Sequence, residues 1–156
     1  MLDGKVTILG STHIGPETVS DNSEYRYLNS IVTIIELTEK LTSTTDLNYT
    51  KDDFADADCY GIAQYLTYAV NDWLSCGVRG EIFRDDEGFY VAQIGDNDDL
   101  INLQRGEVSH LDSQTVGGGR TTYGALTFGL NIKPTKYVLI RPEIRIDRAL
   151  DNGNTP

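Results

Sequence analysis

The charged side chains that could act together in this sequence stand on alternate positions. In "RPEIRID", residues 141–147, Arg141, Glu143, Arg145 and Asp147 are separated by Pro142, Ile144 and Ile146. "RGEIFRD", residues 79–85, repeats the phrase with Arg79 and Glu81. A period of two puts ionic groups on one face of a strand and apolar groups on the other. Two carboxylates such as Glu81 and Glu143 are the minimum for glycoside hydrolysis. Flanking arginines favour ionised carboxylates over a protonated acid, so no catalytic residue and no enzyme is expected. The alternative chemistry is electrostatic. Charges alternating in sign compensate one another and shape the field felt by a solute moving past them. Arg79, Glu81, Arg141, Glu143, Arg145 and Asp147 are therefore the candidate pore-lining residues. The plainer reading is a solvated strand face whose cross-strand pairs contribute about 0.2–1 kcal/mol each.

Other reactive groups form no constellation. His13 and His110 are isolated, and Cys59 and Cys76 lack a CxxC or a nearby histidine pair, so no metal site is expected. "GDNDD", 95–99, gathers carboxylates but lacks the glutamate at the twelfth position of a calcium loop. "VGGGR", 116–120, lacks the Gly-Lys-Ser/Thr of a phosphate-binding loop. No cofactor is expected. A net charge of −11 argues against nucleic acid, which needs a Lys/Arg surface.

The elements that would position these side chains read as strands. Runs rich in Thr, Tyr, Ile and Val occupy 4–14, 25–37, 41–50, 58–70, 74–84, 121–133 and 137–147. Only "IVTIIELTEKL", 31–41, could pass for a short helix, and its Thr and Ile content favours strand. These runs exceed the usual globular strand of about 5–6 residues and suit a tilted membrane strand of about 9–11. No stretch approaches the roughly 20 apolar residues of a spanning helix. Short connections (38–40, 71–73, 134–136) alternate with long ones (15–24, 51–57, 85–120), as in up-and-down membrane barrels with tight turns at one end.

A three-residue loop at 71–73 places Tyr68 opposite Cys76, Leu66 opposite Val78, Ile62 opposite Ile82 and Val70 opposite Leu74. The reverse face pairs Tyr65 with Arg79 and Ala63 with Glu81. A loop at 134–136 places Ile132 opposite Val138, Leu130 opposite Ile140 and Phe128 opposite Pro142. Its reverse face sets Gly129, Thr127 and Ala125 against Arg141, Glu143 and Arg145. Small partners leave room for long ionic side chains leaning across a confined, wet surface. Pro142 fits a strand near a seam or edge. Trp73 and Tyr137 at the turns, and Tyr60 and Tyr123 at the far ends, stand where aromatic girdles form. The expected fold is all-β, an antiparallel up-and-down meander forming part of a transmembrane β-barrel. Residues 1–156 form a single barrel segment with a long outer loop at 85–120. Cys59 and Cys76 face opposite sides in this register, too far apart for a disulfide.

At "YGIAQYLTYAVNDWLSCGVRGEIFRDDEGF" and "GALTFGLNIKPTKYVLIRPEIRID" the sequence resembles the OmpL-like β-barrel porin family of Gram-negative outer membranes. The resemblance rests on Arg79-x-Glu81, Phe83-Arg84-Asp85 and Gly88-Phe89. It continues in Gly129-Leu130-Asn131, Lys133-Pro134-Thr135 and Arg141-Pro142-Glu143-x-Arg145-x-Asp147. It covers about 60–147; residues 4–50 match only in style. It implies a passive diffusion channel for small solutes in the cell outer membrane. Its partners would be outer-membrane lipid and small solutes, with a homo-oligomer open. The chain departs from the family pattern in its polar N-terminus, its length and its "DNGNTP" end, so a fragment of a larger barrel is expected. The alternatives are a structural or adhesive outer-membrane barrel without transport and a soluble all-β binding module.

Overall fold

A computed structural model describes residues 5–16, 22–91 and 120–151. They form one antiparallel sheet in which consecutive strands are neighbours. The strands are β1 (Val6–Gly15), β2 (Arg26–Glu36), β3 (Leu41–Asp52), β4 (Ala57–Asn71), β5 (Leu74–Asp85), β6 (Thr121–Thr135), β7 (Val138–Ile140) and β8 (Glu143–Asp151). The ambiguous run at 31–41 divides into the end of β2 and a turn. Thr38 makes the break, because its Oγ1 accepts from the amides of Lys40 at 3.2 Å and Leu41 at 3.0 Å. A threonine binding the backbone ahead of it competes with helix and favours a turn.

The first hairpin forms in the expected register, with Tyr68, Leu66, Ile62, Tyr65 and Ala63 opposite Cys76, Val78, Ile82, Arg79 and Glu81. Val70 is the exception. Asn71 pairs with Leu74, and an irregularity between Ala69 and Asn71 absorbs the extra residue. The Asn71 side chain sets this turn, its Oδ1 accepting from the amides of Trp73 at 3.1 Å and Leu74 at 2.9 Å.

The second hairpin departs from expectation by two residues. Ile132 pairs with Ile140, and Gly129, Thr127 and Ala125 pair with Glu143, Arg145 and Asp147. The turn tightens so that Thr135 pairs with Val138, and the register shifts between Ile132 and Thr135. A slip of two changes every partner and no face, because side chains repeat with period two. The strand expected over 137–147 is also cut in two. Pro142 has no amide to donate, so the ladder lapses at Arg141 and Pro142. Its carbonyl still accepts from the Leu130 amide at 3.0 Å. Among the described residues β7 and β8 line one edge of the sheet, where a proline costs least.

The alternation of connections is weaker than the sequence implied. β3 runs on to Asp52 and β4 begins at Ala57. The link 53–56 is therefore no longer than the link 37–40 on the other side. Asp52 holds this turn closed, accepting from the Ala55 amide at 2.9 Å. Asp56 takes a left-handed φ of 44°, which aspartate tolerates better than most residues. Residues 92–119 of the expected outer loop, with His110, "GDNDD" and most of "VGGGR", lie outside the described residues.

Candidate functional site

The two faces of the sheet differ in chemistry and in shelter. One face carries, along neighbouring strands, Ile31, Leu47, Ile62 and Ile82, and beside them Leu66, Val78, Phe128 and Ile144. These side chains are open: Ile62 is 43% exposed, Phe128 53% and Ile144 71%. The opposite face carries Ala63, Glu81, Ala125 and Asp147 in one row and Tyr65, Arg79, Thr127 and Arg145 in the next. It is the sheltered side, with Ala63 at 4% and Thr127 at 8%. From β3 to β8 the sheet turns its large aliphatics to one face and its small and ionic residues to the other, more sheltered one, which inverts the usual soluble arrangement; β1 and β2 break the pattern, with Leu9 and Leu28 on the ionic face.

Aromatic residues mark both levels of the outward face. Tyr49 and Tyr60 lie toward one end, and Tyr68, Trp73 and Tyr137 toward the tight turns, all exposed. Tyr123 does not join them. It pairs with Phe83 on the sheltered face, their ring centroids 6.5 Å apart. Its odd position in β6 decides this, whereas its place near a strand end does not.

Four of the six candidate pore-lining residues come together. The Arg79 guanidinium bonds the Glu81 carboxylate and lies over the Tyr65 ring, 5.4 Å from its centroid. Glu81 also meets Arg145 Nη2 at 3.5 Å, and Arg145 binds Asp147 at 2.7 Å. The result is an ionic chain, Arg79, Glu81, Arg145, Asp147, spanning β5 and β8 across the small residues of β6. The Arg145–Asp147 end is open to water, where such a pair adds little stability; the effect of the chain is to hold four charges at set places. Arg141 and Glu143 are not in the chain. They lie two positions apart on the same side and border a groove of about 350 Å³ with Tyr65, Gly77, Gly129 and Asn131. Neither forms an ion pair among the described residues. Among the described residues, Arg79 Nε and Thr127 Oγ1 on this face are buried without a hydrogen-bond partner.

The sequence reading missed the aspartates at the long-loop end. Asp85 is wholly buried. One of its oxygens accepts from the amides of Gly88 at 3.0 Å and Phe89 at 3.1 Å, the other from Tyr90 at 2.9 Å and Val91 at 2.8 Å. Gly88 has φ of 75°, a conformation that favours glycine. The chain after β5 is thereby folded back over the sheltered face. Phe89 lies under the Arg26 guanidinium at 5.9 Å, and the Tyr90 hydroxyl donates to the Ala57 carbonyl at 3.3 Å. Arg26 is held by Asp52 through contacts of 2.8 Å and 2.7 Å. Burial raises the Glu87 carboxyl and the Tyr90 hydroxyl above their ordinary pKa values; for Glu87 the bond accepted from the Asp58 amide opposes the rise. The signal that could have found Asp85 is the Asp-x-x-Gly spacing at a strand end, a turn pattern. Cys59 is buried on this face and Cys76 sits on the other near the turn, both as free thiols.

No helix among the described residues is long and apolar enough to cross a membrane, and a barrel crosses with strands. Long antiparallel strands, an aliphatic outer face between two aromatic levels and a sheltered ionic face define a protein of the β-barrel porin class. The chain belongs to the family described as "Putative beta-barrel porin-2, OmpL-like", whose match covers residues 1–156. No curated protein and no solved structure matches the chain.

Proposed function

We propose that this protein forms part of an outer-membrane channel that passes small polar solutes by diffusion, without catalysis, cofactor or nucleic acid. The observation that carries the reading is the inverted sheet: large aliphatics stand exposed on one face, while the other buries Ala63 and Thr127 and partly buries Arg79 and Glu81. Exposed apolar area on this scale is far beyond the few hundred Å² that soluble monomers tolerate. Lipid is the partner that fits it, and the ionic face is then the wall of an aqueous lumen. The Phe89 and Tyr90 segment across one end of that face favours, as a second reading, a barrel that serves as a structural or adhesive surface. Single-channel recording in planar bilayers separates the two. Discrete conductance steps support the channel; a folded, inserted and silent protein supports the second reading.

Spin labels test the facing directly. At Leu66, Phe128, Leu130, Ile140 and Ile144 they should report a hydrocarbon environment in vesicles, and at Arg79 and Glu143 an aqueous one. The reverse pattern would mean that the ionic face meets lipid, and the reading would fail.

The open sheet makes a second expectation. Among the described residues, β1 and the β7/β8 line each lack a neighbour on one side, and open edges are not tolerated in lipid. Produced as these 156 residues and no more, the polypeptide should aggregate, self-associate or require detergent. A stable, soluble monomer by analytical ultracentrifugation would replace the membrane reading with that of a soluble all-β module.

A further inference from the structure

We propose that the groove over Gly77 and Gly129 is a transit subsite for small zwitterions of the α-amino acid kind. Their carboxylate turns to Arg141, and their ammonium to Glu143. The inference rests on the channel reading and names the solutes that the sheltered face would favour.

The six ionic groups of this face divide unequally. Arg79, Glu81, Arg145 and Asp147 neutralise one another in a continuous chain. Arg141 and Glu143, of opposite sign, form no ion pair among the described residues, and both border the groove. Residues two apart in an extended chain lie at most about 7 Å from each other, and flexible side chains converge from there on one small solute. Pro142 between them interrupts the ladder, which separates β7 from β8 just where the groove opens. A simple anion in this groove would meet Glu143, and a simple cation would meet Arg141. A solute bearing both charges answers both signs at once, and a neutral polyol answers neither. Asn131 and Tyr65 add neutral hydrogen-bonding groups.

The floor supports the same reading. A Cβ at Gly77 would meet nothing nearer than the Leu66 carbonyl at 3.5 Å. At Gly129 it would meet nothing nearer than Glu143 Cβ and the Pro142 carbonyl at 3.7 Å. Packing therefore does not require glycine at either position. What the two missing side chains preserve is the groove, whose 350 Å³ has room for about ten waters.

The test is swelling of liposomes that carry the native protein, in isosmotic L-threonine or isosmotic erythritol, which are similar in size. The wild-type protein should admit threonine faster than erythritol. Arg141→Gln and Glu143→Gln should each lower that ratio about five-fold, the effect of one exposed charge interaction near 4 Å in water. Gly129→Leu should lower it by filling the groove. The double exchange Arg141→Glu with Glu143→Arg keeps both signs and should restore the ratio, which a variant damaged in folding would not do. Equal ratios in wild type and all variants, with swelling in both solutes, would overturn the subsite and leave the channel standing. No swelling in either solute would overturn the channel reading, and the subsite with it.

Discussion

Replacing Asp85 with alanine should release residues 86–91 from the sheltered face and raise the conductance of the channel. The carboxylate is fully buried and accepts from four consecutive backbone amides. Each donor left buried without a partner costs about 1–3 kcal/mol. Four such losses exceed what a short segment can bear, so the segment should move into water, where its amides find new acceptors. Phe89 would then leave Arg26, and Tyr90 would leave the Ala57 carbonyl. The sheet itself should remain, because its strand pairing from β1 to β6 does not involve these amides. Asp85→Asn should fall between, because one oxygen persists and the new amide group faces donors. Larger single-channel steps, together with faster proteolysis at 86–91, are the expected readout. Wild-type conductance and wild-type protease resistance in Asp85→Ala would show that the segment neither depends on Asp85 nor narrows the lumen.

Reversing the charge at Arg145 should turn the channel toward cations. In the native chain Arg145 meets both Glu81 and Asp147, so one guanidinium offsets two carboxylates. Arg145→Glu changes the local charge by two and leaves three carboxylates beside Arg79. One charge at about 4 Å acts with about 1 kcal/mol in bulk water and more near a low-dielectric wall. The cation-to-anion permeability ratio should therefore rise by about five-fold or more, and the rise should shrink at high salt, where screening acts within a few Å. Arg141→Glu should shift the ratio in the same direction. Reversal potentials in a salt gradient measure both. A reversal potential unchanged in Arg145→Glu would place this row outside the conduction path.

The barrel character of the chain was legible in its sequence. Long Thr- and Tyr-rich runs, a strict period of two and the Arg-x-Glu phrases suffice for antiparallel strands with one apolar and one ionic face. That inference is robust because an error of register by two, as at Ile132, leaves each side chain on its face. The first hairpin was legible along its strands, from Tyr68 opposite Cys76 to Ile62 opposite Ile82, but not at its turn, where Asn71 rather than Val70 pairs with Leu74. The second was not. A bulge near Thr135 and a proline at 142 move the partners, and neither event leaves a periodic trace.

The amino-acid sequence by itself determined which residues share a face, through the two-residue repeat of the extended chain, and it carried the family through local motifs in β5, β6 and β8. Tertiary structure alone decided which charges meet. The slip of two along β6 brings Asp147 into the row of Glu81 and Arg145 into that of Arg79, and moves Glu143 away to the row of Gly129. Tertiary structure alone decided how far each ionic group is sheltered, Arg79 and Glu81 partly and Arg145 and Asp147 hardly, since curvature belongs to the whole sheet and not to any strand. It alone assigned Asp85 its task, because four amides converge on one carboxylate only after Gly88 has taken its left-handed turn.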